Sequence, residues 1–424
     1  MALRIGILGL GTVGGGVVKL LRERREEWRA IMGSDLEIAR VCSRQARRLG
    51  ELALDPKTYT ADIGEFLKTP LDIVVEATGA VDLADALLSV LDRGACVVTA
   101  NKALLSAHGR RLIGSKNGDR LFFEASCLGG IPIISAFEEG LLANRVGLML
   151  GLCNGTCNYI LTLMTHKGVS FADALRAARE KGYAEADPSF DVEGVDATQK
   201  LGLLASLAFQ RCFPYGIVER QGIGRIEPAD FAWARANHYR IKLVSMAEKL
   251  GEDRFFLGTF PALIPDAHPL AHVDGVNNAI LVRGHAVGDL MWSGPGAGEL
   301  PTASAMVSDV LAAAQGQRRR LSHRVFGAAR EVGANDASRL FSCYMRLITF
   351  DQAGILAQLC REFAERGLSL RFVHQELQDE GTAELQFVTH PHARGALDET
   401  LAAMEAKKLL AKPPLVLRVL DLTA

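Results

Sequence analysis

The chain has 424 residues, 23% of them charged, with a formal net charge of −1. That length suits two or three domains at roughly 100 to 200 residues each, and the balanced charge excludes the electrostatic footprint of a nucleic-acid or anionic-membrane binder. Eight cysteines lie scattered, the closest pair, Cys153 and Cys157, lacking C-x-x-C spacing, so reduced thiols in a cytoplasmic protein are expected. No run reaches the roughly 18 apolar residues of a membrane span. The opening MALRIGILGL passes straight into a strand, without a basic region and a cleavable apolar segment. The cluster QRRR at 317–320 reads as solvated surface.

Residues 3–22, LRIGILGLGTVGGGVVKLLR, read as a buried strand, a glycine turn and an amphipathic helix. Gly9, Gly11 and Gly14 fit G-x-G-x-x-G, with Thr12 and Val13 between them. The glycines serve the tight turn, approach of backbone to a pyrophosphate, and close packing of helix on strand. A second strand is expected at 37–42. It is followed not by the carboxylate that holds the ribose hydroxyls of NAD but by Arg44, with Arg47 and Arg48 nearby. Arg44 tilts the reading toward NADP, NAD remaining an alternative, and the bland reading is a solvated helix start. Strands at 73–76 and 96–99, separated by a helical pattern through Leu83, Leu87, Leu88 and Leu91, continue a doubly wound parallel sheet. Its strand ends carry Thr78 and Gly79, and Thr99, Asn101 and Lys102. Lys102 is either a solvated lysine or a functional one, since a cation suits a helix N-terminus poorly.

FFEASCLGGIPII, 122–134, is a glycine turn between buried segments, and 146–164 a strand, a turn through Asn154 and Gly155, and an apolar helix start. Asn154–Thr156 also fits N-x-S/T, which has no bearing in a cytosolic chain. Ser170 can cap a helix through Phe171, Ala174, Leu175 and Ala178, with Gly182 ending it. A loop carrying Glu185, Asp187 and Asp191 then leads to a second helix at 195–210, apolar on every side except for Asp196 and Lys200. These two stand four apart on one face. An exposed pair of this kind is worth roughly 0.3–0.5 kcal/mol, but a lysine is seldom buried without a partner. Asp191 can equally be only an N-cap, and Glu193 only a complement to the helix dipole.

The order A-x-x-x-G-Y-A-E-x-D-P-x-x-D-x-x-G-x-D-x-x-x-K over 178–200, with TANKALL at 99–105 and NGT-x-NYIL at 154–161, resembles the homoserine dehydrogenases. The resemblance implies an NAD(P)-dependent oxidoreductase of amino-acid biosynthesis that interconverts L-homoserine and L-aspartate 4-semialdehyde. Lys200 is the first choice for proton transfer, with Asp196 orienting it, and Lys102, also counted among the cofactor contacts, is the second choice. Glu185 would hold the substrate ammonium, with Asp191 supporting it or the lysine. Glu124 and the main-chain carbonyls of Cys127, Gly129 and Ile131 would surround a monovalent cation, taken as Na+, although a purely structural Glu124 competes with that role. Free lysine titrates at about 10.4; burial and a second ammonium lower that value and Asp196 raises it.

Strand-like runs at 255–260 and 279–286 give the middle domain a sheet, and the resemblance implies a homodimer, with a tetramer as the alternative. GPGAGELPTASAMVSDVL, 294–311, is a glycine loop with Gly298 and a helix, which in that family returns to the nucleotide domain. The C-terminal part reads strand 343–349, helix 355–365, strands 368–376 and 382–390, helix 395–404 and strand 415–420, a ferredoxin-like βαββαβ order. DQAGIL and a strand ending in TH resemble an ACT domain, with Asp351 and Gly354 placed for an amino-acid effector such as threonine; alanine at 353 departs from the usual proline. The expected organisation is therefore α/β. It comprises a Rossmann-type doubly wound nucleotide domain at 1–135, completed at about 300–325, an α+β catalytic and dimerisation domain at 136–299, and an ACT regulatory domain at 340–424. The competing readings are a noncatalytic nucleotide and amino-acid sensor and another semialdehyde dehydrogenase acting through Cys127, which no histidine motif accompanies.

Overall fold

Buried apolar strands alternating with helices at the start of the chain build a six-stranded parallel sheet. Its order is Tyr59–Thr60, Leu36–Cys42, Leu3–Leu8, Ile73–Glu76, Cys96–Thr99, Leu121–Phe122. Ile5 pairs with Ile38 on one side and Ile73 on the other, so the winding reverses at the first strand. Ligands of such sheets lie outside the strand ends at that reversal. The computed structural model describes residues 2–333, 335–378 and 381–421, and the chain divides into two units. The first holds the chain up to Cys153, Gln199–Ile217 and Asn277–Gly333; the second holds Asn154–Thr198, Val218–Val276 and the chain from residue 335 onward.

In the first unit, helix Glu299–Ala314 packs beside helix Thr12–Glu23 so closely that a Cβ on Gly16 would lie 2.9 Å from that of Ala303. Ile5, Ile7, Val17, Val98, Met306 and Val310 form the core between these helices and the sheet. A second, antiparallel sheet joins Val146–Leu152, Asn277–Gly284 and Gly288–Pro295, with Leu281 facing Leu150 and Met291.

In the second unit, Tyr239–Lys249 and Phe255–Pro265 form an antiparallel pair. Phe255–Pro265 also pairs with Leu415–Val419, in parallel, through Ala262 and Leu263. From there the order runs Leu415–Val419, Ser342–Phe350, Thr382–Thr389, Leu370–Leu377, all antiparallel. With helices Ile355–Glu365 and Arg394–Ala406, the C-terminal segment has the expected βαββαβ order. Phe255–Pro265 outruns the expected end at 260 because Pro261, which lacks a donor, falls in a gap between two other partners. Gly258 and Thr259 pair with Glu219 and Arg220 before it, and Ala262 pairs with Arg418 after it. Strands Tyr239–Lys249 and Gly288–Pro295 were not anticipated.

The helix Phe171–Glu180 starts where Ser170 Oγ accepts from the Asp173 amide at 3.2 Å, and Gly182 follows it at φ +73°. Helix Val195–Phe209 carries Asp196 and Lys200 buried, at 2% and 8% exposure. The division between the units falls within this helix. Among the described residues no helix is long and apolar enough to cross a membrane.

Candidate active site

The first unit offers a cradle at its strand ends. Gly9 sits at φ +93°, a backbone state open to glycine, and a Cβ on Gly14 would stand 1.9 Å from the Gly9 carbonyl oxygen. Helix Thr12–Glu23 begins there with no side-chain cap and no acidic residue in its first turn. Its unsatisfied amides and positive dipole end suit a pyrophosphate. Gly11 faces open space, Thr12 is exposed and Val13 half-buried. Buried Glu76 braces the neighbouring strand ends, accepting from the Thr78 amide and hydroxyl, both at 2.7 Å, and from Thr99 Oγ1 at 2.6 Å. Arg44 is exposed just past Leu36–Cys42, whereas Arg48 reaches over Gly15, its Nη2 standing 2.5 Å from where a Cβ would be. Gly298, at φ +120°, opens the helix Glu299–Ala314.

Asn101 fixes the start of helix Lys102–Ile113. Its Oδ1 accepts from the Leu104 amide at 3.0 Å and its Nδ2 donates to the Ala80 carbonyl at 2.8 Å. Lys102 is thereby set at the first helical position. Lys102 and Lys200 line one pocket of about 190 Å3, with Cys127, Gln199, Ser206 and Tyr215 among its other walls. Lys200 Nζ donates to the Cys153 carbonyl at 2.8 Å. Cys127 is fully buried, and no histidine lines the pocket among the described residues.

In the second unit, buried Asn154 organises the carboxylates. Its Oδ1 caps helix Gly155–Lys167 through the Cys157 amide at 2.8 Å, and its Nδ2 donates to Asp191 Oδ1 at 2.7 Å and Asp196 Oδ2 at 2.9 Å. Asp191 lies inside the helical turn Ser189–Val192, and Gly194, at φ +79°, separates that turn from helix Val195–Phe209. Asp191 is therefore not the N-cap of the longer helix. Glu185 is exposed. Asp187 is engaged by the Ser189 amide and hydroxyl, and the hydroxyl bond first of all lowers its pKa. Asn154 was missed as a site residue; its signal was an amide side chain directly before an apolar helix start, the position of an N-cap.

The turn after Leu121–Phe122 is strained. Leu128, fully buried, and Gly129 both adopt positive φ, +54° and +57°, and a Cβ on Gly129 would stand 2.5 Å from the Gly296 carbonyl. A bulky residue in this region costs of order 1–3 kcal/mol and persists only where its surroundings enforce it. The Glu124 carboxylate is buried and engaged by nearby donors. It accepts from the Ile134 and Ser135 amides at 2.7 Å and from the Ser135 hydroxyl. Asp309 accepts the Glu124 amide at 2.8 Å and pairs with Arg319. Burial, then the Asp309 charge, pushes Glu124 up to about 7. Main-chain oxygens and a carboxylate at this turn are donors that suit a hard ion.

Residues 9–124 match the family model of the homoserine dehydrogenase NAD-binding domain, and residues 132–311 that of homoserine dehydrogenase. The homoserine dehydrogenase of Pseudomonas aeruginosa is 38% identical over 429 residues, and that of Neisseria gonorrhoeae 36% over 427, each alignment covering 98% of both chains. The crystal structure of a homoserine dehydrogenase from Thiobacillus denitrificans superposes with a TM-score of 0.89 at 33% identity, covering 100% of this chain and 99% of that one. A hyperthermophilic archaeal homoserine dehydrogenase in complex with NADPH gives a TM-score of 0.62 at 25% identity, over 74% and 98% of the two chains.

Proposed function

The chain belongs to the homoserine dehydrogenase family, an oxidoreductase acting on the alcohol of homoserine, and from that premise we propose how its residues divide the work. Lys200 takes the hydroxyl proton as homoserine is oxidised to aspartate 4-semialdehyde, and Lys102 stabilises the developing alkoxide. Asp196, one turn before Lys200 on the same helix, orients it. Glu185 and Asp191 receive the substrate ammonium. The observation that carries this reading is the pocket shared by Lys102 and Lys200, with Nζ of Lys200 anchored on the Cys153 carbonyl. As the base Lys200 acts in its neutral amine form, one N–H on that carbonyl and the nitrogen lone pair taking the proton to give the ammonium.

The nicotinamide, when bound, accepts or returns the hydride. Gly9, Gly11, Thr12, Val13, Gly14, Thr78 and Gly298 hold its dinucleotide, and the first-turn amides of helix Thr12–Glu23 face its pyrophosphate. NADP is the preferred cofactor. The support is exposed Arg44, standing where NAD enzymes carry an acid, and the archaeal relative solved with NADPH.

Glu124 and the main-chain carbonyls of Cys127, Gly129 and Ile131 would hold a sodium ion, and a sodium-dependent rise in melting temperature tests it. The βαββαβ segment serves as an ACT domain that receives threonine at Asp351 and Gly354. There Gly354, at φ +87°, precedes helix Ile355–Glu365. The assembled enzyme is a homodimer or tetramer, which sedimentation distinguishes. The direct test of the activity is nicotinamide absorbance with L-homoserine, run with NADP and with NAD. No reduction with either cofactor overturns it.

A further inference from the structure

A cavity of about 780 Å3 in the second unit belongs to none of the sites above. Helix Arg394–Ala406 and strand Leu415–Val419 form one wall; Val192, Glu193 and the segment 220–225 form the other.

Two of its lining residues hold unspent hydrogen-bonding capacity. Arg418 is 9% exposed, with its guanidinium carbon 4.0 Å from the ring centre of Phe260 and 4.5 Å from that of Phe341. Its Nη2 donates to Glu219 Oε2 at 2.5 Å, while Nη1 is buried without a partner among the described residues. Glu219 also serves Arg394 through the same oxygen, so one carboxylate answers two guanidinium groups. Arg394 has a further partner in exposed Asp398 at the solvent end. A buried arginine cannot shed its charge, and an unanswered buried donor is costly.

The second residue is His392, whose backbone pairs with Phe341 in both directions at 3.1 Å. Its Nδ1 stands 3.0 Å from the Ala393 carbonyl, and its Nε2 has no partner among the described residues. Nδ1 faces a carbonyl, which only accepts, so Nε2 is an acceptor in the neutral ring and a donor in the imidazolium; burial lowers the ring's pKa, and a bound carboxylate opposes that shift. Leu397, Leu401, Pro414 and Val416 add an apolar wall.

We propose that this cavity binds the carboxylate group of a small aliphatic acid, received by Arg418 and His392, with the ligand's carbon chain against Leu397 and Leu401. The opposite wall is continuous with the turn that carries Asp191. The Ile223 amide donates to the Val192 carbonyl at 2.9 Å, and a Cβ on Gly222 would lie 2.7 Å from that same oxygen. Val192 and Glu193 of that wall are next in sequence to the Asp191 carboxylate that Asn154 holds. The cavity is a binding site separate from the Asp351–Gly354 turn.

The test uses the full chain and succinate as the probe, titrated calorimetrically at constant ionic strength against chloride and inorganic phosphate. Saturable succinate binding is expected, weakened roughly tenfold in His392→Ala, the scale of one hydrogen bond, with turnover at saturating homoserine unchanged. Hydrogen exchange should slow at 192–196, 220–225 and 392–405 when succinate is present. Arg418→Lys should weaken binding further, but its aromatic packing makes His392→Ala the deciding variant. The proposal falls if succinate binds no better than chloride, if only phosphate binds, if His392→Ala keeps the wild-type affinity, or if protection centres on 351–355.

Discussion

Asn154 Nδ2 lies 2.9 Å from Asp196 Oδ2, with both residues buried, and the same nitrogen holds Asp191 Oδ1 at 2.7 Å. One neutral amide thus separates two carboxylates that would otherwise repel, and through its Oδ1 it ties them to the start of helix Gly155–Lys167. Asn154→Asp places a third carboxylate there at no change in size. Its expected effect is a fall in kcat/KM of about a hundredfold, equivalent to about 2.7 kcal/mol. Asn154→Ala removes the cap as well and costs about 1 kcal/mol of stability. Steady-state kinetics beside thermal melts of both variants separate the two effects; wild-type kinetics in Asn154→Asp would remove Asn154 from the site.

The shared pocket makes the two lysines separable by experiment. Lys200→Ala should lower kcat by about a hundred- to ten-thousandfold, the range for a positioned proton-transfer group, while cofactor affinity, read from nicotinamide fluorescence, stays within about twofold. Lys102→Ala should lower kcat as well, because the charge that stabilises the alkoxide is lost. If Lys200→Ala retains wild-type turnover with homoserine, the proton-transfer assignment is wrong.

The parts of the fold that local chemistry encodes were legible, and those that depend on distant partners were not. Helix Ile355–Glu365 has the expected ends because Gly354 and Gly367 punctuate it. Strands Ile73–Glu76 and Cys96–Thr99 read as short apolar runs because they are buried on both faces. Asp196 and Lys200 stood out as the only charges in an apolar helix, whereas Asn154, in a turn followed by an apolar helix, gave no hint of the carboxylates 37 and 42 residues away. The setting of Glu124 was not legible, because its neighbours in space, Asp309 and Arg319, lie far along the chain.

Arg44 bears on cofactor choice. It is exposed past the second strand, in a stretch, 43–48, that carries no acid, so a 2′-phosphate would gain a charge-assisted bond that a 2′-hydroxyl would not. Arg44→Ala should raise the KM for NADP roughly tenfold, the worth of one such bond, and leave the KM for NAD unchanged. Equal changes for the two cofactors would move the discrimination elsewhere.

The Glu124–Asp309–Arg319 cluster sets one guanidinium against two buried carboxyls. Burial raises Glu124 to about 7 and also raises Asp309, with the Asp309 charge adding to the Glu124 shift. A carboxyl whose folded pKa exceeds its unfolded value stabilises the fold below the unfolded pKa, and loses that contribution as pH rises through the folded one. The Glu124 contribution should therefore fade between about pH 4.5 and pH 7. The expected result is a melting temperature that declines over this window and a flatter profile in Glu124→Gln. An unchanged slope in the variant would place the titration on other groups.

The C-terminal segment is fastened within the second unit by a buried ion pair. Asp230, fully buried, accepts from Arg346 Nε at 2.9 Å, from the Tyr344 hydroxyl at 3.0 Å and from the Glu227 amide at 2.8 Å. Burial already pushes the Asp230 carboxyl up against the opposing pull of Arg346. Arg346→Met strands that carboxylate and should cost about 3–5 kcal/mol. The loss should grow as pH rises, because the unpaired acid must then be buried charged. Adding Asp230→Asn to Arg346→Met removes the stranded charge and should recover part of the stability, so the two substitutions are not additive. Denaturant melts of the two single variants and the double variant at low and high pH measure the coupling. Additive losses at both pH values would mean that Asp230 and Arg346 stabilise the fold independently.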